Sequence, residues 1–113
     1  MHEYSLVSAL LDRVEEEARR HAALSVARVR LRVGGLAGVE PDLLRAAFEM
    51  AREGTICAAA ELELVLVEVR WACRDCQRPI AAGALLVCPD CGAPARLIEG
   101  DDLVLERLEM EVA

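Results

Sequence analysis

Cys73-Arg74-Asp75-Cys76 and, after eleven residues, Cys88-Pro89-Asp90-Cys91-Gly92 set the frame for this chain. Two Cys-x-x-Cys knuckles at this separation can bring four thiolates to the corners of one tetrahedron, the geometry that Zn²⁺ accepts in structural sites. Residues 71–98 are too few to bury a core of their own, since domains below roughly 40 residues generally need a metal, disulfides or a partner. Gly92, directly after Cys91, permits the tight turn through which backbone N–H groups point at the thiolates. The competing readings are two disulfides, which suit a secreted chain, and a thioredoxin-type redox pair, which needs no second pair. The spacing favours one closed site of Cys73, Cys76, Cys88 and Cys91 around structural zinc. Such a site keeps no open position, which argues against zinc-centred catalysis. Zinc ribbons serve many purposes, so the knuckles alone assign no function.

Composition bounds the remainder. A chain of 113 residues reads as one compact unit with a small insert. Its 55% apolar content suffices for a core, and with aromatics at only 3% that core is built from Leu, Val and Ala. The formal charge of -7 argues against nucleic acid, whose phosphates repel an acidic surface. No N-terminal run combines basic and apolar regions, and no apolar stretch approaches the ~18–20 residues of a membrane span. A cytoplasmic chain is therefore expected, with thiols reduced and available to metal.

In chain order, residues 4–21 place Val7, Leu10, Leu11, Val14 and Ala18 on one stripe of an amphipathic helix. Glu15 with Arg19, and Glu16 with Arg20, stand four apart on its other side. His21 falls at the helix end, where a cation favours the dipole. Residues 25–33 alternate, with Ala27, Val29, Leu31 and Val33 expected inward and Arg28, Arg30 and Arg32 outward. The arginine row invites a phosphate-binding reading. Cross-strand pairing is favoured, because Glu61, Glu63, Glu109 and Glu111 lie in later strands. Gly34-Gly35-Leu36-Ala37-Gly38 breaks the strand and matches no phosphate-binding signature. Pro41 fits the first position of a second helix, with Leu44, Ala47, Phe48 and Ala51 as its buried stripe and Gly54 after its end. Cys57, outside the knuckles, reads as a small buried thiol. Residues 61–71 form a second strand that runs into the first knuckle. Residues 103–112 form a last strand, with Leu108, Met110 and Val112 inward. The fold expected is α+β: two helices packed on a three-stranded sheet, with a Cys₄ zinc-ribbon-like insert between the last two strands.

Several stretches together resemble the HypA/HybF family of hydrogenase nickel-incorporation proteins. They are Met1-His2-Glu3-Tyr4-Ser5, Gly34-Gly35-Leu36-Ala37-Gly38-Val39-Glu40-Pro41, Ala47-Phe48-Glu49, Gly54-Thr55, the two knuckles, and Ile98-Glu99-Gly100-Asp101-Asp102-Leu103. The resemblance spans nearly the whole chain in the correct order. Gln77 departs from it, standing where the family often has glycine after the first knuckle. The zinc segment also lacks histidine, so histidine-dependent tuning of that site is not expected.

The resemblance implies a non-enzymatic nickel metallochaperone that delivers Ni²⁺ to the large subunit of [NiFe] hydrogenase together with a maturation GTPase of the HypB type. It implies nickel bound through Met1, His2 and Glu3, and zinc purely structural at Cys73, Cys76, Cys88 and Cys91. It also divides the chain into a nickel-binding part, residues 1–70 with 99–113, and a zinc-binding part, residues 71–98. The chemistry agrees. The Met1 α-amine with the His2 backbone nitrogen and ring nitrogen can close adjacent five- and six-membered chelate rings, and planar nitrogen donors suit Ni²⁺ or Cu²⁺ over tetrahedral Zn²⁺. Glu3 can add a backbone nitrogen or its carboxylate. The rival functions are a zinc-ribbon adaptor for protein–protein contact and a thiol oxidoreductase. Absence of nickel binding favours the first, and a reactive thiol pair without tightly held zinc favours the second.

Overall fold

The computed structural model describes residues 2–81 and 85–113. Its elements follow in the order α1 (His2–Arg20), β1 (Ala23–Gly34), α2 (Pro41–Ala51), β2 (Glu61–Val67), β3 (Arg70–Cys73), β4 (Pro79–Ile80), β5 (Ala95–Glu99) and β6 (Leu103–Val112). The first sheet has the order β2-β1-β6, with β1 parallel to β2 and antiparallel to β6. Helix α2 supplies the crossover that two parallel neighbours require. The α1 stripe behaves as its spacing dictates: Val7, Leu11, Val14 and Ala18 are buried, and Leu10 packs partly against them. Leu44, Ala47 and Phe48 of α2 join Val29, Leu31, Val33 and Leu62 in the same core. On the wet side of α1, Arg20 pairs with Glu17 at 3.0 Å, and not with Glu16 as its i,i+4 position suggested. No helix among the described residues is long and apolar enough to cross a membrane.

The alternation expected over 25–33 holds from Arg28 onward and fails before it. Val26 is buried and Ala27 exposed. Val26 pairs with Met110 while Arg28 pairs with Glu109, so Ala27 is an extra residue and the facing of the strand switches there. A second irregularity lies in β6, where Arg30 faces Arg107 but Leu31 faces Leu105. Glu106 is the extra residue, and the inward set changes from Leu103 and Leu105 to Leu108 and Met110. Val112, expected inward, is 58% exposed.

The outer face of this sheet carries the arginine row, paired as expected across strands. Arg28 reaches Glu61 at 3.3 Å and Glu109 at 3.2 Å, and Arg30 reaches Glu63 at 2.9 Å. Glu106 takes the place expected of Glu111, forming ion pairs with Arg30 and Arg32 at 3.5 and 3.3 Å. The bulge presents Glu106 between two arginines. The charges of this face are thus paired across the strands, as the cross-strand reading expects.

The single strand expected over 61–71 is two strands in two sheets. β2 stops at Val67, and β3 opens a second, antiparallel sheet of order β4-β3-β5 around the knuckles. The glycine turn causes the break. Gly35 N–H donates to Val67 O at 3.1 Å, Leu36 N–H to Gly100 O at 2.7 Å, and Gly34 N–H to Asp102 O at 2.9 Å. Both chain crossings between the sheets are thus held by one turn. The approach excludes side chains: a Cβ on Gly34 would lie 2.4 Å from the Gly100 carbonyl carbon, and one on Gly100 2.7 Å from Val69 Cα. Two sheets joined in this way make an elongated molecule, 57 × 28 × 17 Å. Its radius of gyration is 18.0 Å, against about 13 Å for a compact chain of this length.

Candidate metal centres

The two knuckles are built alike. In the first, Gln77 N–H donates to Cys73 O at 3.1 Å and Cys73 N–H to Arg78 O at 2.8 Å. In the second, Gly92 N–H donates to Cys88 O at 2.9 Å and Cys88 N–H to Ala93 O at 2.8 Å. Cys76 N–H points at the Cys73 sulfur, 3.4 Å away. Cys73 and Cys88 are buried, Cys76 and Cys91 exposed, so the tetrad sits at the surface with one wall in the small core of Ile80 and Ala93.

The four sulfurs lie within 4.8 Å of one another. Cys73 Sγ is 3.4 Å from Cys91 Sγ and Cys76 Sγ 3.6 Å from Cys88 Sγ. A tetrahedron with Zn–S bonds near 2.3 Å has edges of about 3.8 Å, so the set fits zinc. The electrostatics agree. The Cys76 N–H, the Asp75 N–H and the neighbouring thiols hold Cys73 down at about 6. The Ala93 N–H lowers Cys91, but hydrogen bonds with Cys73 and Cys88 and the charge of Cys73 push it up to about 12. Cys76 is raised in the same way, against the pull of the Arg78 N–H. One thiolate forms readily and opposes the next, so four thiolates at this spacing call for a divalent cation among them.

At the other candidate site, His2 is exposed and opens α1. Met1 lies outside the described residues. The Glu3 carboxylate accepts from Glu40 N–H at 3.3 Å. That bond, followed by one from its own N–H, holds the Glu3 carboxyl below its usual value. Glu40 is the N-cap of α2, its own carboxylate accepting from Asp42 N–H. The first turn of α1 is therefore pinned to the start of α2, at the sheet end where the glycine turn joins the second sheet. His21 closes the far end of α1, roughly 28 Å from His2 at 1.5 Å per residue, and cannot share an ion with it. Sequence reasoning named Glu3 but missed the Glu40 N–H. Glu40, an acidic residue before Pro41, suits the positive end of α2, whereas its contact across the fold carried no local signal.

Comparison with known proteins adds an independent observation. Residues 1–110 match the family described as "Hydrogenase/urease nickel incorporation, metallochaperone, hypA". This chain belongs to the HypA family. The hydrogenase maturation factor HypA of Shewanella baltica is 39% identical over 113 residues, covering 98% of this chain and 97% of its own. The HypA of Aquifex aeolicus is 40% identical over 114 residues, covering 99% of each. The solution structure of the Ni metallochaperone HypA from Helicobacter pylori superposes with a TM-score of 0.72 at 32% identity, covering 98% of both chains. A second HypA solution structure gives 0.79 at 33% identity, covering all of this chain and 98% of the other. The HypA family is one of nickel metallochaperones acting in hydrogenase maturation, and the α+β fold with a cysteine tetrad able to hold structural zinc is the fold found here.

Proposed function

We propose that this HypA-family chain carries Ni²⁺ on its first residues and delivers it to the large subunit of [NiFe] hydrogenase, with a HypB-type GTPase as its partner. It acts as a carrier and not as an enzyme. Residues 1–70 with 99–113 form the nickel-binding part, and residues 71–98 form the part held by zinc at Cys73, Cys76, Cys88 and Cys91. The nickel donors are the Met1 α-amine, the His2 backbone and ring nitrogens, and the backbone nitrogen of Glu3.

The observation that supports this set is the start of α1 at His2. The first N–H groups of a helix have no carbonyl of their own helix to serve, so the amides of His2 and Glu3 can be given up to a metal without breaking α1. The positive end of the helix dipole also favours the negative charge of a deprotonated amide. The Glu3 carboxylate is engaged with Glu40 N–H, which favours the Glu3 backbone nitrogen as donor and makes the carboxylate a positioning group.

The sequence offers a direct test. Its basic side chains are all arginine, so the α-amine of Met1 is its one primary amine. Ni²⁺ should protect that amine from an acylating reagent, and acylated protein should lose tight nickel binding while keeping zinc. His2→Ala should abolish tight binding, and one residue added before Met1 should impair it. Because a free α-amine has a pKa of about 7.7–8.0, affinity should fall steeply as pH drops below neutrality. Equal acylation with and without Ni²⁺ would remove the α-amine from the ligand set.

A further inference from the structure

β6 is one margin of the first sheet, which is ordered β2-β1-β6. It is ten residues long and contains no proline. The outward N–H and C=O groups of such a margin can pair with another chain unless something blunts it. The bulge at Glu106 blunts the first half only, for Arg107 to Val112 each keep a partner in β1 beyond it. This second half lies away from the cysteine-bearing sheet. Leu103 pairs with Val33 beside the glycine turn and Val112 with Ala23 at the far end. Leu108 therefore stands about 16 Å along the strand from Leu103. Ile80 and Leu86, on either side of the stretch outside the description, are both bonded within the second sheet, to Trp71 and Ala95.

The side chains say what this margin receives. On the inner face, Leu105, Leu108 and Met110 pack against the core yet are only half-buried, and Val112 is 58% exposed. Two open grooves of about 280 and 320 Å³ lie between α1 and β6, sharing Arg13 and Leu105. On the outer face, Arg107 lies opposite Arg30, a like charge. Its one ion pair among the described residues is with Glu109 at 3.7 Å. A carboxylate arriving from the open side of β6 would meet a cation that its own sheet serves poorly.

We propose that two copies of this chain pair antiparallel through the β6 margin, about a two-fold axis at Leu108, with Arg107 of each copy opposite the partner's Glu109. The charges select this register. Facing residues share a side of the sheet, so the axis must centre on a residue. Centred on Arg107, it sets arginine against arginine. On Glu109 or Glu111 it sets glutamate against itself, and on Met110 it sets Glu109 against Glu111. Only Leu108 gives unlike pairs, and gives them twice. With Glu106 bulged out, Leu105 then meets the partner's Met110, and the half-buried inner rows cover each other. The two α1 starts lie at opposite ends of the pair, so the test does not depend on nickel.

Sedimentation of zinc-loaded full-length protein over about 1–500 µM should show a reversible dimer with a dissociation constant below about 100 µM. Arg107→Glu sets glutamate against glutamate at both contacts, and Glu109→Arg sets arginine against arginine. Each alone should weaken the dimer by about tenfold or more. An equal mixture of the two variants restores unlike charges at both contacts and should dimerise as the parent does. Retained zinc and an unchanged circular dichroism spectrum establish that each variant is folded. Should Glu109→Arg fail that check through loss of its 3.2 Å contact with Arg28, Glu109→Gln replaces it. Mixed with Arg107→Glu, it leaves one attractive contact and no repulsive one, and should dimerise more tightly than Arg107→Glu alone. The proposal is overturned if the parent stays monomeric throughout, if folded Arg107→Glu dimerises as the parent does, or if mixing folded variants restores nothing.

Discussion

Gln77 and Gly92 occupy the same position in the two knuckles, with φ of 63° and 74° and each N–H bonded to the carbonyl of the leading cysteine, Cys73 or Cys88. Both backbones are left-handed, but only one of the residues is free of the Cβ clash that this conformation brings. The strain of the zinc ribbon is therefore concentrated in its first knuckle. Gln77→Gly should stabilise that knuckle by about 1 kcal/mol, and Gly92→Ala should destabilise the second by a similar amount. The rate of zinc loss to a competing chelator measures both, slowing in the first variant and quickening in the second.

Zinc should hold residues 71–98 in place. Among the described residues, the buried cluster around the tetrad adds to the cysteines only Ile80 and Ala93, with Trp71 and Ala95 against them. Cys88→Ser, or zinc removal by a chelator at equilibrium, should unfold this segment and leave the helices and first sheet intact. Limited proteolysis with mass analysis should cut within 71–98 alone, and native resistance there would refute the assignment of the tetrad.

The glycines of the turn and junction should differ sharply in tolerance. Gly100 has φ +106° and a Cβ there would meet Val69 Cα at 2.7 Å and Glu68 O at 2.9 Å. Gly38 has φ +74° with nothing within 4 Å of its added Cβ. Gly38→Ala should cost about 1–2 kcal/mol, the backbone term alone, and Gly100→Ala about 4 kcal/mol or more, because main chain must move. Thermal or urea unfolding of the two variants compares them directly.

Cys57 is fully buried, and burial, followed by the charge of Glu15, pushes its thiol up to about 11. It should resist alkylation at pH 8 in the native state and react once the chain unfolds. The raised folded value also gives a sign. The stabilisation is fully present below the ordinary value near 9 and is lost as pH rises through about 11. Over that window the folded state holds a proton the unfolded state has released, so stability should fall by up to about 1.4 kcal/mol per pH unit. A Cys57→Ala variant, whose own cost is independent of pH, should lack that slope.

Period and spacing were sufficient to read α1, α2 and the tetrad, because each depends on neighbours within a few residues. What escaped were consequences of pairing. The displacement of Ala27 exists only because Val26 and Arg28 face consecutive residues of β6. The split of residues 61–71 follows from hydrogen bonds of a turn far earlier in the sequence. Glu106 could have been found: Leu103 and Leu105 share one parity and Leu108 and Met110 the other, which is how a bulge is written in a strand. The contact of Glu3 with Glu40 N–H had no such mark, since it joins two helix starts separated by a strand and a turn.

The chain enters the cysteine-bearing body at residues 68–69 and leaves it at 100–102, and these two passages run side by side under the glycine turn. A body on one tether can swivel freely. A body on two adjacent tethers is restrained from spinning about its length. Any displacement of the cysteine tetrad relative to the sheet end at which α1 begins must therefore pass through this one junction, where both passages and the glycine turn are joined by main-chain hydrogen bonds.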